Sequence, residues 1–156
     1  MPKSVFRIII AVMAITMMCA PWAAAKTTKP VIAVFHFETP GANTYLGPVV
    51  ANYLMSALAY LGKYKVIEPE KVAKVMEGEG IDEGAAVSTA EAVAMGKKLG
   101  AIVACRGKVA KSGNSYTVTV DFISTANSAV ISSKSTKVTG EANLSKGIDT
   151  IVGLTK

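Results

Sequence analysis

Histidine occurs once in this chain, at His36, and cysteine twice, at Cys19 and Cys105. A metal centre of the usual kind needs several such ligands, and a nucleophilic relay needs a base held beside a serine, cysteine or threonine. With one imidazole and no G-x-S-x-G string, both classes lack their parts. Long hydrophobic runs are also missing. The longest, Ile8 to Ala20, is interrupted by Thr16 and stopped by Pro21, short of the ~20 apolar residues that cross a bilayer. Charge of one sign is never concentrated. The formal net charge of +6 is spread along the 156 residues, which gives no case for nucleic acid. Tryptophan is confined to Trp22, and no repeat or low-complexity stretch occurs.

What is present begins with an address. Lys3 and Arg7 precede the apolar run, and Ala23-Ala24-Ala25 follow Pro21 and Trp22. This is the three-part layout of a secretory signal, with small residues at Ala23 and Ala25 for cleavage before Lys26. Lipidation at Cys19 is the rival, but Met18 is bulky where a lipoprotein signal wants a small residue. The expectation is a signal peptide over residues 1–25 and a single domain over 26–156, exported to the periplasm. Loss of Lys3 and Arg7 lowers the net charge by two, and Cys105 becomes the sole thiol. Its surroundings, AIVACRG, describe a buried, inert cysteine on a strand.

The centre of the domain is LGPVVANYLMSALAYL, Leu46 to Leu61. Leu46, Val49, Val50, Tyr53, Leu54, Ala57, Leu58 and Leu61 recur at helical spacing and make one broad apolar face. Pro48 suits the first helical position with Gly47 as cap, and Gly62 a left-handed stop. Such a helix needs a sheet beneath it and a second partner at its flank. Val31 to Glu38 and Tyr64 to Glu68 read as strands on either side, and strand–helix–strand implies parallel neighbours. Pro69 opens a second helix with Val72, Val75 and Met76 inward, closed by Gly78 and Gly80. Ser88 and Glu91 form a capping box at the start of a third, which Gly100 ends. Three β-segments follow, Ala101–Lys111, Ser115–Ser124 and Ala129–Val138, and then a short helix within Asn143 to Leu154. The fold class is therefore an α/β mixed-sheet sandwich of order β-α-β-α-α-β-β-β-α, parallel near the first strand and antiparallel in its C-terminal meander.

Read as one string, VIAVFHFET, LGKYKVIEPEKVAKVMEGEGI, AEAVAMGKKLGAIVACRGKV and SYTVTVDFISTANSAVI resemble the CsgG family, that of the outer-membrane curli secretion channel subunit. The Gly-Lys-x-Leu-Gly-Ala step of that resemblance falls on Gly96, Lys97, Leu99, Gly100 and Ala101. The same order is similar to the amino-terminal domain of TolB and to the lipoprotein activator of peptidoglycan synthases. The resemblance implies a binding module of the cell envelope. The long insertions that become membrane-spanning hairpins in channel-forming members have no counterpart here.

Other candidate chemistry carries less. His36 and Glu38 share a strand face, but no second histidine accompanies them, so a structural histidine is the reading taken. Glu77, Glu79, Asp82 and Glu83 surround Gly78, Gly80 and Gly84 without calcium-loop spacing. Gly96-Lys97 lacks the earlier glycine of a phosphate loop, where Glu91 stands. The expected function is that of a non-catalytic accessory protein for outer-membrane assembly or transport, alternatively a regulator docking on a peptidoglycan synthase. No cofactor, metal or nucleic acid is expected. Partners are envelope proteins or further copies of the chain, with peripheral contact to the outer membrane allowed. The expected interaction surface comprises Gly41 and Asn43 in the loop Thr39–Thr44, with Met55, Ala59 and Tyr60 exposed on the helix.

Overall fold

A computed structural model describes residues 28–154. Signal residues Ala23, Ala25 and Lys26, and the lipidation candidate Cys19, lie outside the described residues. Five strands form one sheet of order β2-β1-β3-β4-β5. β1 (Val31–Val34) runs parallel to β2 (Lys65–Val66) and to β3 (Val103–Ser112). β4 (Ser115–Ser124) and β5 (Val130–Thr139) complete the antiparallel meander. Four helices accompany the sheet: α1 (Leu46–Leu61), α2 (Pro69–Gly78), α3 (Thr89–Lys98) and α4 (Leu144–Val152). This is the expected element order, and the parallel and antiparallel halves fall where the hydrophobic pattern puts them.

Crossover geometry decides which face each helix covers. The β1–α1–β2 unit moves outward across the sheet, whereas β2–α2–α3–β3 returns over β1, so right-handed connections place the two groups on opposite faces. Contacts agree. Gly147 of α4 lies against Val138 and Thr136, while Gly96 of α3 lies against Ala104 and Thr125. α1 and α4 also pack on each other, so α4 is the flanking partner that so apolar a helix requires. Between them and the sheet lie Leu54, Leu58, Val118, Val120 and Ile148, all buried.

Several expected boundaries move for local reasons. β1 stops at Val34 instead of reaching Glu38, because the Phe37 amide donates to the Gly47 carbonyl in α1 at 3.3 Å. Beyond Val34 the Phe35 amide still donates to the Cys105 carbonyl at 2.9 Å, and an isolated bridge pairs Glu38 with Lys108. α1 starts at Leu46, two residues before Pro48, and Tyr45 takes the cap position. Pro48 still sits in the first turn, where its missing N–H has no intrahelical partner to lose. Gly47 is not the cap: a Cβ there would lie 2.5 Å from the Phe37 carbonyl oxygen. Gly62 does end the helix in the left-handed region, at φ 66°. The β4–β5 register shifts by one between Phe122 and Ile123, leaving Ile131 as the extra residue of β5, while β4 keeps its alternation and Ile123, beside Ala104, faces α3.

Candidate functional site

The outer side of α1 is unusual for a surface helix because no residue from Leu46 to Leu61 carries a charge. Offsets of 8 and 15 residues bring Tyr53 and Tyr60 to within about 80° of Tyr45 and about 20° of one another around the axis. All three are exposed, Tyr45 at 47%, Tyr53 at 41% and Tyr60 at 82%. Asn52, Ser56 and Ala59 fill the same side. Where this side meets α4, a groove of about 450 Å³ is lined by Tyr53, Ser56, Ala57, Tyr60, Ser145, Asp149 and Leu154. The ridge is anchored at its start, where the Tyr45 hydroxyl donates to Glu141. That carboxylate pushes the phenol above its ordinary range, against a smaller opposing effect of Asn43.

The expected interaction residues divide between two places. Ala59 and Tyr60 are exposed at the C-terminal end of α1, whereas Gly41 and Asn43 are exposed before its start. A 16-residue helix is about 24 Å long, so one small ligand does not touch both groups. Met55 is a correction. It was expected on the outside but is 5% exposed, because the apolar face is wider than the strict repeat and takes in Gly47, Ala51 and Met55. Tyr53, assigned to that face, projects outward instead. Its place on the ridge was missed because a tyrosine counts as apolar in a periodicity argument.

On the opposite sheet face, α2 and α3 leave much of the meander uncovered. A cleft of about 370 Å³ opens where the start of α3 meets β3 and β4, lined by Glu38, Val87, Ser88, Arg106, Lys108 and Asp121 among others. Its charged groups are mutually satisfied. Arg106 donates to Asp121 at 3.3 Å and to the Val87 carbonyl at 3.1 Å, and Ser133 donates to Asp121 at 2.6 Å. The capping box at Ser88 forms as expected, and the hydrogen bonds from Ser88 hold the Glu91 carboxyl below its usual range. Among the described residues, nothing in this cleft pairs a nucleophile with a free base.

His36 lines a third hollow with Met76, Glu77, Asp82 and Glu83. Burial lowers its pKa from the ordinary 6.5, and the nearby Glu83 charge opposes that shift. Among the described residues, no group of three or more histidine, cysteine or acidic side chains is placed to hold a metal ion. Cys105 is wholly buried, and burial pushes its thiol pKa well up, against nucleophilic use. Among the same residues, no helix is long and apolar enough to cross a membrane.

Neither the protein-family models nor the curated protein sequences compared with the chain give a match. Solved structures do share its fold. The LpoB C-terminal domain from Salmonella enterica superposes with a TM-score of 0.58 at 17% identity, covering 75% of this chain and 87% of that one. Lipoprotein GNA1162 from Neisseria meningitidis gives 0.55 at 18%, covering 80% and 94%. The PelC dodecamer from Paraburkholderia phytofirmans gives 0.52 at 18%, covering 81% and 83%. These findings overturn the CsgG-family assignment, its TolB likeness included. Two of the residues that carried it are ones the fold itself demands. Gly96 lies so close to Thr125 that a Cβ would come within 2.9 Å, and Gly100 adopts φ +70° to end a helix. Such a step marks a helix-to-strand junction, whatever the ancestry. The chain is similar in fold to LpoB, GNA1162 and PelC.

Proposed function

We propose that this chain is a non-catalytic binding module of the cell envelope that docks on another protein through the outer side of α1. The observation that carries the reading is the uncharged, tyrosine-bearing ridge of that helix beside the α4 groove. Tyrosine supplies a large, rigid contact area with a polar tip, and it is enriched at the energetic centres of interfaces. Ordinary solvated helix faces are charged instead. Tyr60 and Ala59 belong to this ridge. Gly41 and Asn43 extend it only for a partner large enough to span the helix.

Of the two partner classes, a peptidoglycan synthase is favoured over a component of assembly or transport. The support is the shared fold with LpoB domains, joined to the likeness of the sequence to the lipoprotein activator of these synthases. Export to the periplasm through residues 1–25 is part of the same reading. The test uses purified peptidoglycan synthase from the same organism, with glycan polymerisation followed as the chain is titrated in. A rate that rises with the wild-type chain and is unchanged by a Tyr53→Lys/Tyr60→Lys double variant supports it. An unchanged rate, with cross-links from position 60 running instead to secretion components, returns the assembly reading.

A further inference from the structure

β5 is the edge strand of the sheet, and beyond β4 its recorded contacts are with α4 and the short helical turn Glu141–Asn143. Which of its backbone groups are free follows from one hydrogen bond. Gly140 donates to the Asn114 carbonyl at 2.8 Å, and the register pairs Tyr116 with Val138, Val118 with Thr136 and Val120 with Lys134. Hydrogen-bonded and non-hydrogen-bonded pairs alternate along an antiparallel ladder. The residues between, Ser133, Ser135 and Lys137, therefore aim their N–H and C=O groups away from β4. Among the described residues, they have no backbone partner. The next such carbonyl, that of Thr139, is taken by the Asn143 side chain at 2.7 Å, which marks one end of the open stretch.

From this placement we infer that the free edge of β5 accepts an extended acidic segment of a partner protein as a sixth strand. Charge chooses the occupant. β5 reads VISSKSTKVT, with Lys134 and Lys137 and no acid. Lys134 gives one N–H to the Ile151 carbonyl at 3.1 Å, and Lys108 stands 3.9 Å from Glu38. Asp121, opposite Ser133, is taken up by Arg106 and Ser133, so Lys137 is the cation left to an incoming strand on the open face. A second copy of β5 would bring two more lysines to the same short edge, where like charges oppose pairing. An acidic strand brings carboxylates beside Lys137 on the open face and aliphatic side chains beside Thr136 and Val138 on the α4 face. Main-chain hydrogen bonds supply the attraction, and alternate side chains supply the choice of partner. This edge is a surface separate from the α1 ridge, so either can fail without the other.

The test titrates a ten-residue peptide alternating valine with glutamate into the full chain, with the lysine-for-glutamate peptide as control. Amide NMR signals and the dissociation constant are the readouts. The expected result is a set of shifts centred on Ser133, Ser135 and Lys137, with binding at least tenfold weaker for the lysine peptide. Ser135→Pro is the discriminating variant. Proline lacks the outward N–H but disturbs no ladder bond at that position, so the sheet is kept while binding falls at least tenfold. Thr136→Pro removes a ladder donor and serves as the destabilised reference. Shifts centred elsewhere, equal binding of both peptides, or undiminished binding by a folded Ser135→Pro chain would each overturn the inference. So would concentration-dependent dimerisation through β5 without peptide, since the occupant is then a second copy.

Discussion

At the scale of single residues, close approach and protonation set the sensitive positions. Gly107 faces the Phe37 ring, and a Cβ there would meet three ring carbons at 2.5 to 2.7 Å. Phe37 is fully buried and has little room to yield. Gly107→Ala should therefore destabilise the fold by about 1–3 kcal/mol, read as a lower urea midpoint with an unchanged slope. Protonation acts in two windows. The His36 pKa is lowered in the folded chain, so its contribution is full above the ordinary 6.5 and is lost as pH falls through the folded value. The Glu91 carboxyl is also lowered, but from 4.5, so its contribution goes only in stronger acid. Urea midpoints measured from pH 7.5 to 5 should fall for the wild type and fall less for His36→Gln. Midpoints that stay parallel would mean that His36 does not titrate there. Ser88→Ala, which removes the cap that holds Glu91, should cost about 1 kcal/mol at neutral pH.

At the scale of elements, α1 shows what periodicity can and cannot say. The 3.6-residue repeat locates the helix and most of its inner face, since Leu46, Val50, Leu54, Ala57 and Leu58 are all buried. It misplaces Tyr53 and Met55 because both faces of α1 are uncharged, and only the tertiary partners decide how wide the buried sector becomes. Met55, on the side of α1 away from the α4 groove, is closed over, while Tyr53 is left at that groove. The capping box and the Gly62 stop were legible because their chemistry is local. The early end of β1 was not legible, because it depends on a contact between Phe37 and Gly47 that spans the loop. The α1 boundary between inside and outside makes a sharp prediction. Tyr53→Lys and Tyr60→Lys should each change stability by no more than about 0.5 kcal/mol. Met55→Ala should cost about 2–5 kcal/mol, and less where the site collapses. Thermal melts of the three variants check the order, and equal losses would place the ridge inside the core.

At the scale of the whole molecule, β3 is the strand on which the halves of the sheet depend. It pairs with β1 on its parallel side and β4 on its antiparallel side, with helices on both faces. Cys105 sits on it, opposite Val34 and Phe122, and has no exposed surface. Reaching its thiol therefore requires β1 or β4 to separate and the helix layer above to lift, which is close to global unfolding. Burial also holds the thiol protonated, so a folded chain presents almost no thiolate. Modification by a disulfide reagent at neutral pH should run slower than in the unfolded chain by about 10³ or more, matching the equilibrium constant of a domain of ordinary stability. Its dependence on urea should have the slope of the global transition. A shallower slope would mean that β3 opens on one side alone, with the β3–β5 meander separating as a unit from the β1–β2 half. Peptide bound along β5 provides the comparison, because a ligand that binds only the folded state slows a globally limited reaction by a factor of one plus the ratio of free ligand concentration to Kd. Labelling unaffected by saturating peptide, with the peptide still bound, would identify the one-sided opening.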